Sequence, residues 1–474
     1  MFCLGLAGCV LAGGDSGSGG SPLDGSTGDG DGDLGGDGDI SGDGDISGDG
    51  DISGDGDISG DGDTSGDGDG FTGPDLCAGT TVDKVDLLFI VDDSQSMLQE
   101  QAALRDQFPK MVRTLTSGQQ LNPDGSVRAT FPPVTDLHLG VVTTDMGLVG
   151  VDGVPSCQNG LGKDGRLQNT GSVDVGGCNP TYPTYLSFVA GDNPDQLALD
   201  FQCVATVGTG GCGFEQQLEA GLKALWPAAD IDPQTGMQWV DPLTGQPGNR
   251  VTFLPDGNGN GRYGHGDGAN AGFLRSEAGA GASLLGVVLV TDEEDCSASN
   301  TTLFTPAQYL PDGHPVKDHP INLRCFYNKD SLYAVDRYVN GLRALRQGTE
   351  ELVVFAAIAG IPADLVQLRG DDGNPLVDLE DAAMREQWYD TMLEDQRMIE
   401  RVDETQPEVA KRNLVPSCIT ETGKAFPPRR IVEVARGFGE NGIVQSICQT
   451  DFSGAVDSIL GRVIHGVSDA CALE

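Results

Sequence analysis

The stretch DLLFIVDDSQSM (residues 86–97) sets five apolar side chains, Leu87, Leu88, Phe89, Ile90 and Val91, directly ahead of Asp92, Asp93, Ser94, Gln95 and Ser96. An apolar run without alternation reads as a strand buried on both faces, as at the centre of a parallel sheet. The strand, KVDLLFIV (84–91), therefore ends by presenting a carboxylate and two hydroxyls at alternate positions. Asp and Ser also cap helices, but a cap needs one such residue rather than three at a spacing of two.

Working outward, DLHLGVVTTD (136–145), SLLGVVLVTD (283–292), ELVVFAAIAG (351–360) and NGIVQSIC (441–448) read as further strands. Between them lie helical patterns over 97–116, 214–226, 331–345, 378–403, 429–439 and 453–466, the first kinked or split at Pro109. Strands alternating with helices predict an α/β fold, a doubly wound, mostly parallel sheet flanked by helices. Two irregular inserts are expected, a Cys- and Gly-bearing one at about 146–210 and a Gly-bearing one at about 227–275.

In such a sheet, ligands bind outside the carboxyl ends of the strands. Those ends carry Asp92-x-Ser94-x-Ser96, Thr144-Asp145 and Thr291-Asp292. Every group is an oxygen donor, the preference of hard cations, and Mg²⁺ favours few carboxylates with remaining positions left to water or a partner. Asp145 is placed to hold a ligating water, and Asp93, Glu293, Glu294 and Asp295 read as neighbours of the site rather than ligands.

Asp-x-Ser-x-Ser after a hydrophobic strand resembles the metal-ion-dependent adhesion site of von Willebrand factor type A domains. The resemblance covers about 85–470 and implies Mg²⁺, or Mn²⁺ or Ca²⁺, held by Asp92, Ser94, Ser96, a loop threonine and Asp292 of LVTDEED. The threonine is assigned to Thr209 in ATVGTGGCGFEQQLEAGL, with Thr206 as the alternative, and Cys212 stands where the family often has a second hydroxyl. The implied role is a binding or adhesion module whose protein partner offers a carboxylate; a surface protein with a purely structural metal and a metal-dependent hydrolase are the competing readings. No HExxH or GxSxG motif is present, and the five histidines (138, 265, 314, 319, 465) form no metal-ligand pattern, so an enzyme is not expected.

A second candidate cation loop, DGNGNGRYGHGD, places Asp256, Asn258, Asn260 and Asp267 at positions 1, 3, 5 and 12 with Gly261 at position 6, as calcium loops do; a plain hairpin insert is the other reading.

The rest of the chain bears on placement. Of a formal net charge of −44, the 76 residues ahead of Cys77 supply −18, having 18 Asp and no Glu, Lys or Arg. Residues 10–76 repeat DISGDG from Asp39, Asp45, Asp51 and Asp57, with DTSGDG at Asp63. One Ile per six residues buries too little to order a chain, so this acidic Gly/Asp/Ser segment reads as a disordered linker, with loose calcium binding as the sharper alternative. An acidic chain argues against nucleic acid as a partner, whose phosphates call for Lys and Arg. LAGC (6–9) is similar to a bacterial lipobox, which implies lipidation of Cys9, a truncated signal segment over 1–9 that lacks its basic start, and a cell-envelope location with a lipid anchor to the membrane. The remaining ten cysteines, Cys77, Cys157, Cys178, Cys203, Cys212, Cys296, Cys325, Cys418, Cys448 and Cys471, form no CxxC pair and predict disulfides in an oxidising compartment. Proximity alone suggests 157–178, 203–212, 296–325 and 418–448, leaving Cys77 and Cys471 to tie the ends of the domain. The globular part is expected over 77–474.

Overall fold

Six strands form the central sheet, five of them parallel: β1 (Lys84–Val91), β2 (Asp136–Thr143), β3 (Leu186–Val189), β4 (Ser283–Val290), β5 (Val353–Ala359) and β6 (Gly442–Ser446). The spatial order is β3-β2-β1-β4-β5-β6, with β3 alone antiparallel. This computed structural model describes residues 82–469, except 123, 155, 158, 233–235, 249, 250, 255–260, 276–282, 371–374, 421 and 422. All described residues belong to one unit. The expected linker, Cys9, Cys77, Cys471 and the loop residues Asp256, Asn258 and Asn260 lie outside them.

The apolar runs explain the sheet. All eight residues of β4 are buried, as are seven of the eight in β1, and the two pair in register from Lys84–Ser283 to Val91–Val290. The chain runs outward from β1 to β3, then returns to β4 and runs outward the other way. The order therefore reverses between β1 and β4, which makes that gap the topological switch point of a Rossmann-like α/β sheet.

Helices pack in two groups that together flank the sheet. One comprises α1 (Leu98–Arg105), α2 (Phe108–Ser117), α3 (Pro194–Ala205) and, after β6, a closing helix; the other comprises α4 (Gln217–Leu225), α5 (Asp336–Ala344), α6 (Ala382–Glu394) and α7 (Arg429–Gly437). The closing helix is α8 (Ser453–Asp469). Pro109 splits the first helical pattern in two. It falls in the first turn of α2, where a missing N–H leaves no bond unmade. Phe89 of β1, Phe108 of α2 and Phe201 of α3 meet at ring-centroid distances of 4.3–5.8 Å and tie that layer to the sheet. No described helix is long and apolar enough to cross a membrane.

Several expectations are corrected. The segment expected to be an irregular insert at 146–210 contains β3 and α3. LSFV is only four residues long and alternates buried with exposed, as an edge strand does, so its apolar signal is weak. The acidic helix expected over 378–403 spans only Ala382–Glu394, starting where Asp381 Oδ1 accepts the amides of Ala383 and Met384.

The disulfides Cys296–Cys325 and Cys418–Cys448 form as expected, but the other two pairs are Cys157–Cys212 and Cys178–Cys203. The cause is α3: it folds back along the sheet and carries Cys203 to Cys178, beside the bond from Ser172 N to Cys203 O (2.9 Å). Cys212, beyond that helix, is then left for Cys157. Replacing Cys157 and Cys212 together by serine is expected to lower unfolding free energy by about 2–4 kcal/mol, measurable by urea titration.

Beside the carboxyl edge of the sheet, loops from three regions share a second apolar core that includes Leu148, Val151, Cys212, Phe214, Cys296 and Phe304. These loops therefore form a packed rim around the switch point.

Candidate metal centre

The parallel register of β1 and β4 brings Asp92 and Asp292 out of the sheet at the same edge. Asp92 N donates to Val290 O at 3.0 Å, extending the ladder one residue past the strands. The Asp92 carboxylate is 0 % exposed; Oδ1 accepts from Ser94 N (2.8 Å) and Oδ2 from Thr291 Oγ1 (2.5 Å). Asp292 is 2 % exposed, and its Oδ1 accepts from Ser96 Oγ at 3.1 Å, which in turn lies 3.1 Å from Ser94 Oγ. A chain of side-chain oxygens thus runs from Ser94 through Ser96 to Asp292, linking segments 196 residues apart. Ser96 is exposed, so the arrangement is buried beneath and open above.

The loop between α3 and α4 is stapled onto this first loop at two points. Gln101 Nε2 donates both to Asp92 O (2.8 Å) and to Gly208 O (2.9 Å), and Gly211 N donates to Asp93 O (2.8 Å). Thr209 sits half-buried between the two staples. Thr206 donates its hydroxyl to Gln202 O at 2.8 Å, back into α3.

Gly211 has no room for a side chain: a Cβ there would stand 2.3 Å from Asp93 Oδ1. Asp93 cannot yield, being fully buried and paired with Lys163 Nζ at 2.8 Å. Gly211→Ala is therefore expected to displace the Thr209 loop and weaken Mg²⁺ binding about 10- to 100-fold. Calorimetry checks this, and unchanged affinity would separate that loop from the site.

The electrostatics are those of uncompensated negative charge. Burial, opposed chiefly by the Thr291 hydrogen bond, pushes the Asp92 carboxyl up to about 6. Burial and then the Asp92 charge push Asp292 up to about 7. Burial first, then nearby carboxylates, hold Glu215 and Glu293 well above the usual range; for Glu215 the largest such influence is Asp92, and for Glu293 it is Asp292. Because the folded pKa values lie above the unfolded ones, the folded chain holds more protons, and stability falls as pH rises from about 4 through 7. Cation-free protein is thus expected to melt at progressively lower temperature across that interval, and millimolar Mg²⁺ to restore the loss at pH 7.5. A flat melting profile without cation would contradict the cluster's charge state.

Two carboxylates with two serine hydroxyls match the oxygen set of a hard cation that keeps water or a partner's oxygen, and Thr209 lies in the loop stapled onto the Asp92 loop. Among the described residues no three His, Cys, Asp or Glu side chains converge as a metal-holding group. Asp145 is half-buried and accepts from Gly147 N at 2.8 Å. Asp267 accepts the amides of Ala228 (2.6 Å) and Ala229 (2.8 Å), while the other candidate ligands of that loop, Asp256, Asn258 and Asn260, lie outside the described residues.

Sequence reading passed over two residues. Glu100 is buried one helical turn beyond Ser96, with Oε2 unpartnered, and its charge acts on Asp292. That four-residue spacing was the available signal. Glu215, between the Thr209 loop and α4, is 5 % exposed.

No family model matches the chain, and no curated protein or solved structure matches it either.

Proposed function

We propose that this chain is a von Willebrand factor type A-like binding module that holds a divalent cation and, through it, an acidic group of a protein partner. The observation that carries this reading is the convergence of Asp92, Ser94, Ser96 and Asp292 at the switch point between β1 and β4. Asp92 and Asp292 would hold the cation with Ser94, Ser96 and Thr209. With only two carboxylates, a bound divalent ion keeps positive character and attracts an incoming anion. Exposure of Ser96 favours an open position over a closed structural site.

Binding is favoured over catalysis because His138 and His265 are bonded away from the centre. His138 Nδ1 lies 2.7 Å from Phe273 O, and His265 Nε2 lies 3.0 Å from Asp164 Oδ2. The lipobox-like LAGC and the acidic linker support display at a bacterial cell envelope. Capture of partners from envelope extracts by immobilised protein tests the reading. Capture should require Mg²⁺, vanish with EDTA, and be competed by carboxylate-bearing peptides; capture unaffected by EDTA would refute it.

A further inference from the structure

Outside the candidate centre, two buried charge clusters are internally satisfied. Asp86 is surrounded by Arg275, Arg346 and His138, and Asp164 by Lys223 and His265. A third cluster is not satisfied.

A cavity of about 220 Å³ lies beside the centre without using Asp92 or Asp292 in its walls. It is bounded by the loop entering α4, the loop leaving β4, the Cys296–Cys325 bridge and residues between 400 and 430. Five carboxylates line it: Glu215, Glu293, Glu294, Asp295 and Glu400. Three are engaged. Asp295 pairs with Arg430 Nε at 3.1 Å, Glu400 pairs with Lys329, and Glu294 accepts the backbone amide of Arg430 at 3.2 Å. Both cations of the wall are thereby used.

Among the described residues the carboxylates of Glu215 and Glu293 form no ion pair and accept from no other side chain; the backbone oxygen of Glu215 accepts from Cys296 N at 2.9 Å. Glu215 is 95 % buried, and a buried carboxylate without a partner is costly. The acids are too dispersed to close on a single metal ion. The other walls include Phe214, Phe326 and Phe426 beside Leu332, Leu414, Asn322 and Asn413; lysines already lie over Phe326 and Phe426, which leaves Phe214 as the ring without a cation.

We propose that this cavity binds an organic cation of the alkylguanidinium type, bridging Glu215 and Glu293 with its face against phenylalanine. A planar fork of donors can reach carboxylates that are spread apart, and guanidinium groups stack on aromatic faces; an ammonium, a compact point charge, matches less well.

The test is calorimetric titration of the full chain, at saturating Mg²⁺, with n-butylguanidinium chloride. One saturable site is expected, with weaker binding of n-butylammonium. Glu215→Gln should weaken guanidinium binding about tenfold or more, the loss typical of a charge-assisted hydrogen bond. Glu293→Gln should do likewise, and decides the matter if the Glu215 variant does not fold by circular dichroism. Asp292→Ala should retain guanidinium binding, which separates this site from the cation centre. A peptide with an internal arginine binding more tightly than n-butylguanidinium identifies a partner's side chain as the occupant; weaker or equal binding identifies a small free cation. Absence of saturable heat, unchanged affinity in both glutamine variants, or displacement of the probe by micromolar Ca²⁺ overturns the proposal.

Discussion

Replacing Asp292 by alanine is expected to abolish Mg²⁺ binding while the domain remains folded. The side chain is one of only two carboxylates in the oxygen set, and it receives the hydroxyl of Ser96 across the switch point. Removing it leaves Asp92 as the sole charged donor, so affinity should fall at least about 100-fold, the scale on which losing even an outer-shell partner is costly. Without cation, the same variant should be more stable than the parent near pH 7, because a buried negative charge beside Asp92 is gone. The Asp292 carboxyl is pushed up by burial and by Asp92, and groups with that history destabilise the fold when they ionise. Calorimetry gives the first quantity and thermal melting in EDTA the second. Unchanged Mg²⁺ affinity would end the assignment of Asp292.

A large stability effect is expected at the opposite edge of the sheet. Asp86 of β1 is fully buried and accepts from Arg275 N (3.1 Å), Ser283 Oγ (3.0 Å) and Arg346 Nη2 (3.3 Å), and it pairs with Arg275 Nη1. His138 Nδ1 lies 3.4 Å away. The residue fastens β1 to the start of β4, to the end of the second insert and to the loop after α5. Asp86→Ala removes the shared carboxylate from two largely buried guanidinium groups, and breaking such a pair costs about 3–5 kcal/mol. A loss of about 3 kcal/mol is expected, the low end of that range, because Arg275 keeps Asp136 and Arg346 keeps Ser283 O and Oγ. Urea denaturation measures it; a loss below about 1 kcal/mol would show that these remaining acceptors satisfy both guanidinium groups.

How much of this was legible in the sequence follows from how strongly each segment signals. The strands around the switch point announce themselves because parallel strands covered on both faces must be apolar throughout, as LLFIV and LLGVVLV are. Polar residues directly after them then stand out, so Asp92 and Asp292 could be placed on one edge without coordinates. The edge strand LSFV offered four residues with half of them exposed, and α3 followed within a Gly- and Cys-rich region that read as an insert. Missing those two elements also misassigned two disulfides, since pairing depends on where α3 carries Cys203. Glu215 and Glu100 were obscured for another reason. Glutamate in a loop or on a helix is usually solvated, and only tertiary packing reveals that these two are buried. The guanidinium cavity depends on segments from 214 to 430 and has no contiguous signature at all.

In the proposed reading Asp92 and Asp292 share one hard cation at the point where the sheet reverses direction. Anomalous diffraction from crystals soaked in Mn²⁺ tests it most directly. A single manganese peak within bonding distance of both carboxylates and of the Ser94 and Ser96 hydroxyls is the predicted result. Density that contacts only one of the two aspartates, or manganese bound elsewhere with this edge empty, would contradict it.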